Sequence, residues 1–102
     1  MAGKSIIAKR LGQARKLAGK LSQEALGIRA GIDVSDASAR MNQYEKGKHT
    51  PKPLTVKRIG EALNIPAAYF YCEDDELADL ILKFSALGMA QRERLFRFLD
   101  EL

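Results

Sequence analysis

The sequence predicts an all-α fold, and three observations support that prediction. Apolar residues recur at three- and four-residue spacing through most of the 102-residue chain, which is the period of a buried helix face. Glycines, prolines and residues suited to helix caps fall between these apolar runs. No run alternates apolar and polar residues as a half-buried strand does, and no segment repeats. At this length the chain forms one core, with room for a short appendage.

The first two predicted helices are divided by Gly19, which is a typical residue just past a helix end. Polar positions of the first helix include Lys9 and Arg10, and its apolar positions are Ile6, Ile7, Leu11, Ala14, Leu17 and Ala18. Ser22 supplies an N-cap hydroxyl for a short second helix that continues to Gly31. The segment "GIDVSD" then predicts a loop, because it brings Gly, two Asp and Ser together.

A third helix is predicted with Ser35 or Asp36 as its N-cap and Lys46 near its end. Gly47 follows, and we expect it to adopt a left-handed cap conformation that a side chain would strain. The segment "KGKHTPKP" is a basic turn. A fourth helix covers about Leu54 to Leu63, and "PAAYFY" predicts a short fifth helix after Pro66.

The last third of the chain predicts further helix. The cluster "EDDE" from Glu73 suits a helix start, because carboxylates favour the positive end of the helix dipole. A helical stripe runs from there towards Gly88, and a second follows it. The two stripes consist of Leu77, Leu80, Ile81 and Phe84, and of Leu95, Phe96, Phe98, Leu99 and Leu102.

Charge divides the chain into two parts of opposite sign. Residues 1–71 hold 13 Lys or Arg against five Asp or Glu, whereas residues 72–102 hold four against eight. A basic segment favours a polyanion such as nucleic acid, which would repel the acidic segment. The two segments are therefore expected to do different things, and we predict a domain at 1–71 and a C-terminal helical segment at 72–102.

Composition argues against several classes of protein. Hydrophobic residues make up 46% of the chain and charged residues 29%, as in ordinary soluble proteins. No apolar run approaches the ~18 residues of a membrane span, and the N-terminal segment lacks export features, so a cytoplasmic protein is expected. With one cysteine, Cys72, and one histidine, His49, no catalytic or metal site assembles. We expect no enzyme activity, no cofactor, no metal and no small-molecule substrate.

The third helix has a polar outward face. At ~100° per residue, Ala37, Met41 and Tyr44 share one arc, which must face the core. Ala39, Asn42, Gln43 and Lys46 lie opposite, with Arg40 on one flank and Glu45 on the other. This outward group offers amide and basic side chains without carboxylates that would repel phosphate. An ordinary solvated helix face has the same composition.

Three motifs carry a resemblance to a known family: "LSQEAL" (21–26), "MNQYEKGKHTP" (41–51) and "VKRIGEALNIP" (56–66). In this order they resemble the helix-turn-helix domain of the phage repressor, Cro and Xre-like family of bacterial transcription regulators. The resemblance implies a five-helix lambda-repressor-like DNA-binding domain with a C-terminal helical extension. The chain departs from the family pattern at "IDVSDAS", which supplies a few additional residues before the third helix.

In such a domain the third helix enters the major groove of double-stranded DNA, and the preceding helix crosses the phosphates. The resemblance implies base contacts by Ser38, Ala39, Arg40, Asn42 and Gln43. Asn42 and Gln43 suit adenine, and Arg40 suits guanine. Phosphate contacts are implied for Ser22, Gln23, Lys46, Lys48, His49 and Lys52. The family also pairs an Arg of the first helix with the Glu before the "KG" turn, which here implies a structural ion pair between Arg15 and Glu45.

One such domain covers a half-site, so a homodimer on a palindromic operator is expected, joined by the C-terminal helices. The implied function is sequence-specific regulation of transcription, most simply repression. An alternative remains open, because the same fold serves antitoxins and adaptor proteins that mainly bind a protein partner.

Overall fold

The structure, a computed structural model, describes residues 5–102 and consists there of helices without a strand. The first four residues of the predicted 1–71 domain lie outside the described range. The prediction of an all-α chain is confirmed. The helices are α1 (Ile6–Leu17), α2 (Gln23–Arg29), α3 (Val34–Glu45), α4 (Pro53–Leu63), α5 (Ala67–Tyr71), α6 (Asp75–Ser85) and α7 (Met89–Asp100).

The start of α3 differs from the sequence prediction. Asp33 is the N-cap and accepts a hydrogen bond from the Ser35 backbone N–H at 3.1 Å, so the prediction of Ser35 or Asp36 as the cap was wrong. The hydroxyl of Ser35 also donates to Asp33, and these two bonds hold the pKa of that carboxyl below its usual range. A carboxylate at this position satisfies the free amides of the first turn. The additional residues of "IDVSDAS" therefore lengthen the helix rather than the loop.

The core forms where α1 to α5 meet, and α2 packs closely on α3. Its buried residues come from every one of these helices and include Leu11, Leu26, Met41, Ile59 and Phe70. Ala37, Met41 and Tyr44 turn inward from α3, as their angular spacing predicts. This packing places the opposite face of α3 at the surface.

The last two helices are joined by a short turn at 86–88, and we call α6, α7 and this turn the C-terminal hairpin. Asp74 is the N-cap of α6, which begins at Asp75 rather than at the predicted Glu73. Ala78 joins the shared core, whereas α7 has no buried residue and contacts α6 through an edge-to-face pair of Phe84 and Phe96. The radius of gyration is 15.1 Å, compared with ~13 Å for a compact domain of this length. The chain is accordingly elongated, with extents of 50 × 33 × 24 Å.

Gly27 lies at the closest approach of α2 and α3. A Cβ at this position would lie 2.9 Å from both Ala37 Cβ and Met41 Cγ, which is closer than carbon atoms pack. Gly12 in α1 is a contrasting helix glycine, since a Cβ there would have Glu45 Oε1 at 3.8 Å as its nearest neighbour. Only the first glycine is required for packing.

We predict that Gly27→Ala lowers the free energy of unfolding by ~1–3 kcal/mol, because overpacking outweighs the better helix propensity of alanine. Gly12→Ala is the matched control and should leave stability unchanged or raise it by up to ~1 kcal/mol. Equilibrium urea denaturation followed by circular dichroism measures both. Equal stability of the two variants would contradict the role given to Gly27.

Candidate nucleic-acid interface

The candidate interface consists of the outward face of α3, the start of α2 and the turn after α3. We call this set the reading surface. Ser38, Ala39 and Arg40 are exposed, and Asn42 and Gln43 are half-buried. Because the inward face of α3 is fixed in the core, these five side chains have a defined orientation on a rigid helix.

A contact between helices joins two of the predicted DNA-binding residues. Gln23 Nε2 donates to Asn42 Oδ1 at 3.4 Å, a long hydrogen bond. Ser22 is exposed at the N-cap of α2, where its hydroxyl oxygen accepts from the Ala25 backbone N–H at 3.0 Å. The bond leaves the Asn42 amide nitrogen available as a donor, so α2 orients a side chain of α3.

Arg40 has an acidic neighbour that the sequence analysis did not place on this surface. Its Nη2 lies 4.0 Å from Asp36 Oδ2, one turn earlier, and both side chains are about half exposed. The expectation of an outward face without carboxylates was wrong, because the extended first turn of α3 carries Asp36. An exposed pair of this kind is worth less than ~1 kcal/mol, so a guanine edge can replace Asp36 as the partner of Arg40.

The turn after α3 presents basic side chains at one end of the reading surface. Gly47 has φ of +76°, in the left-handed region, where a glycine avoids the strain of a Cβ. The Lys48 and His49 backbone N–H groups both donate to the Gln43 carbonyl oxygen, at 3.0 and 3.4 Å. Pro51 is buried and anchors the turn. The exposed side chains are those of Lys46, Lys48, His49 and Lys52.

An ion pair fixes α3 against α1. Arg15 Nε and Nη2 donate to the two carboxylate oxygens of Glu45 at 2.6 and 3.1 Å, and Arg15 Nη1 donates to the Leu21 carbonyl oxygen at 3.1 Å. The hydrogen bond to Glu45 raises the pKa of Arg15. Glu45 is only 8% exposed, so this pair holds the C-terminal end of α3 in place.

Sequence reasoning missed the role of Arg10. The sequence analysis placed Arg10 at a polar position of α1. In the structure it is 2% exposed and donates to the carbonyl oxygens of Cys72 and Glu73. A signal was available, since at 100° per residue Arg10 lies only about 40° from the buried Ala14. Within residues 5–102 no group of three or more His, Cys, Asp or Glu is placed to hold a metal ion. No helix in that range is long and apolar enough to cross a membrane.

The crystal structure of the transcriptional regulator BswR is similar to this structure over nearly its whole length. The TM-score is 0.86 and the sequence identity is 46%, and the match covers 93% of this chain and 93% of that chain. This chain belongs to the same family as that regulator. The unmatched 7% of the chain is much shorter than segment 72–102. The similarity therefore includes the C-terminal hairpin. No protein-family model and no curated protein match the sequence.

We predict that Glu45→Ala lowers the free energy of unfolding by ~2–3 kcal/mol, since it leaves the half-buried Arg15 without its main partner. Lys83→Ala is the control, because Lys83 pairs with Asp79 at 2.8 Å but both side chains are exposed. Its loss should change stability by less than ~0.5 kcal/mol. Thermal and urea denaturation measure the two effects. A loss at Glu45 no larger than that of the control would show that Glu45 is not the partner on which the half-buried Arg15 guanidinium depends.

Proposed function

We propose that the chain is an Xre/Cro/C1-type transcriptional repressor that inserts α3 into the major groove of a palindromic operator as a dimer. The observation that carries this proposal is the reading surface itself. Arg40 and Gln43 project from a helix whose opposite face is locked in the core, and a basic turn follows directly. Membership of a transcriptional regulator's family supports the same function.

Direct readout depends on the side chains of α3. The guanidinium of Arg40 can bind guanine O6 and N7, and the amides of Gln43 and Asn42 can bind adenine N6 and N7. Each bidentate contact discriminates by ~1–3 kcal/mol. Ser38 and Ala39 are small, so they allow the helix to approach the base edges closely, and the Ala39 methyl group suits contact with a thymine methyl.

Phosphate contacts position α3 in the groove without reading sequence. Ser22 and Gln23 lie at the start of α2, the helix that crosses the backbone in this arrangement. The turn after α3 contributes Lys46, Lys48, His49 and Lys52. These two phosphate-binding sets, on α2 and on the turn, fix the position of α3 in the groove.

Dimerisation explains the apolar surface of the C-terminal hairpin. Both helices carry exposed apolar side chains: Leu77, Leu80, Phe96, Phe98, Leu99 and Leu102. Together they leave on the order of 600 Å² of apolar surface open, which is at the upper end of the range for the largest patch on a monomer. A stable dimer buries ~800 Å² per partner. A second copy of the hairpin is the occupant that symmetry favours, because operator half-sites come in pairs.

We predict that Arg40→Ala combined with Gln43→Ala abolishes sequence-specific DNA retention and leaves the fold and the oligomeric state intact. The operator is first obtained by selecting bound sequences from a random DNA pool at two salt concentrations. Affinity for that operator should fall at least about 30-fold, as expected from two lost base contacts. If the double variant binds the same DNA as tightly as the wild type, α3 does not read the operator.

A contrasting pair of substitutions separates reading from positioning. Lys48→Ala combined with Lys52→Ala should weaken binding to operator and unrelated DNA by the same factor. The slope of log affinity against log salt should become shallower by roughly two, one for each lost phosphate contact. A loss confined to the operator would mean that the turn, rather than α3 alone, reads sequence.

We predict that Leu80→Glu combined with Phe98→Glu converts the dimer to a monomer and leaves single half-site binding unchanged. Two buried charges cannot be accommodated in an apolar interface without partners. Leu17→Glu is the control, since Leu17 is exposed on α1 outside the hairpin face. Sedimentation equilibrium measures the mass. If the double variant is still a dimer, the interface lies elsewhere on the protein. If the wild-type protein is a monomer, the apolar face binds a different protein, as it would in an antitoxin or adaptor.

A further inference from the structure

Arg10 is the centre of a cluster that joins α1 to the start of α6. Its Nε donates to the Cys72 carbonyl oxygen at 2.8 Å, and Nη2 donates to the Glu73 carbonyl oxygen at 3.2 Å. The same Nη2 lies 2.9 Å from Asp75 Oδ1. Lys9 Nζ reaches that carboxylate oxygen as well, at 3.2 Å. We call these residues, Lys9, Arg10, Cys72, Glu73 and Asp75, the α1–α6 junction.

The buried part of the junction is fully bonded. Arg10 Nη1 donates to Gln13 Oε1 at 3.0 Å, and its guanidinium lies 5.8 Å from the centre of the Tyr69 ring. Burial raises the pKa of Tyr69, so its neutral hydroxyl donates to the same Gln13 oxygen at 3.4 Å. A planar guanidinium with this many partners is rigid. The exposed part is the Asp75 carboxylate, whose pKa Lys9 and Arg10 hold below its usual range.

Apolar packing also holds α6 against the rest of the fold. Ala78 is the buried residue of α6, and α7 has none. Ile81 and Leu82 are only partly buried against the core. This packing is not directional, whereas the hydrogen bonds of Arg10 and its contact with Asp75 are, so the junction adds a defined direction at the start of α6.

We propose that the α1–α6 junction sets the spacing between operator half-sites that the dimer accepts, with Arg10 and Asp75 as positioning residues. This inference rests on the proposed function, in which the hairpins join two reading surfaces. The distance and angle between the two α3 helices then follow from the angle at which each hairpin leaves its own core. The junction contributes specificity without contacting DNA.

The geometry of DNA makes this angle important. Each base pair added between half-sites moves them apart by ~3.4 Å and rotates one against the other by about 35°. The molecule is 50 Å long, so over an arm of roughly half that length a pivot of roughly 10° at the junction moves α3 by about 4 Å, more than the ~3.4 Å rise of one base pair. The two junctions of a dimer share the rotation of about 35°, so a change of one base pair also needs each junction to turn by roughly 18°. A rigid junction therefore matches one spacing, and a loosened junction accepts neighbouring spacings.

The test measures affinity for operators in which identical half-sites are moved closer or farther by one and two base pairs. The test variant is Lys9→Gln combined with Asp75→Asn, which removes the exposed part of the junction and keeps the backbone bonds of Arg10. The control is Lys83→Gln combined with Asp79→Asn, which removes an exposed pair of the same kind on α6. Arg10→Lys is a second variant, since lysine keeps the charge but loses the planar fork.

We expect wild type and control to lose at least about tenfold in affinity when the spacing changes, comparable with one lost base contact. The affinity of the test variant should fall by no more than about threefold when the spacing changes, and its affinity for a single half-site should stay the same. Arg10→Lys should reduce the dependence of affinity on spacing further. Circular dichroism reports whether this variant remains folded. An unchanged profile in the test variant, or an equal loss at every spacing, overturns the inference and leaves the proposed function standing. A wild-type profile that is flat overturns the inference and the dimeric part of the proposed function together.

Discussion

The contact between α2 and α3 determines how the reading surface is presented. Gly27 has no side chain where the two helices come closest, and this absence lets Ala37 and Met41 pack directly against the α2 backbone. The close approach also brings Gln23 within hydrogen-bond distance of Asn42. Because proteins pack at crystal-like density, a helix seated in this way has one stable rotation about its axis. The outward residues of α3 are fixed as a consequence of its inward ones.

Packing alone does not hold the far end of α3, where the core ends. The ion pair between Arg15 and Glu45 holds this end of the helix, since both groups are shielded from water and joined by two hydrogen bonds. Such a pair is a weak source of net stability, because desolvation offsets much of the attraction. Its geometry is strict, however, since a guanidinium and a carboxylate bind side by side in one plane. The pair therefore defines position more than it adds stability.

Patterns in the sequence predicted most of the helices and the inward face of α3, because a 3.6-residue period is a local property. Ser22 as a cap and Gly47 at a positive φ follow from equally local chemistry. Local chemistry did not predict the start of α3. Asp33, Ser35 and Asp36 are all good N-cap residues, and only the surrounding packing selects among them. The environment of Arg10 was also beyond local patterns, since the backbone carbonyl oxygens that it binds lie more than 60 residues away in sequence.

Two arginines of α1 connect elements that are otherwise far apart. Arg15 binds α3, and Arg10 binds the residues that lead into α6, so one helix is the common reference for the reading surface and for the hairpin. The two side chains differ in burial, because Arg15 keeps 21% of its side chain exposed whereas Arg10 keeps 2%. Two of the four partners of the more buried group are backbone carbonyl oxygens, which do not change protonation, and the others are the side chains of Gln13 and Asp75. The connection to the hairpin thus combines backbone atoms with one exposed carboxylate, and Asp75 is the part of it that substitution can alter without disturbing the core.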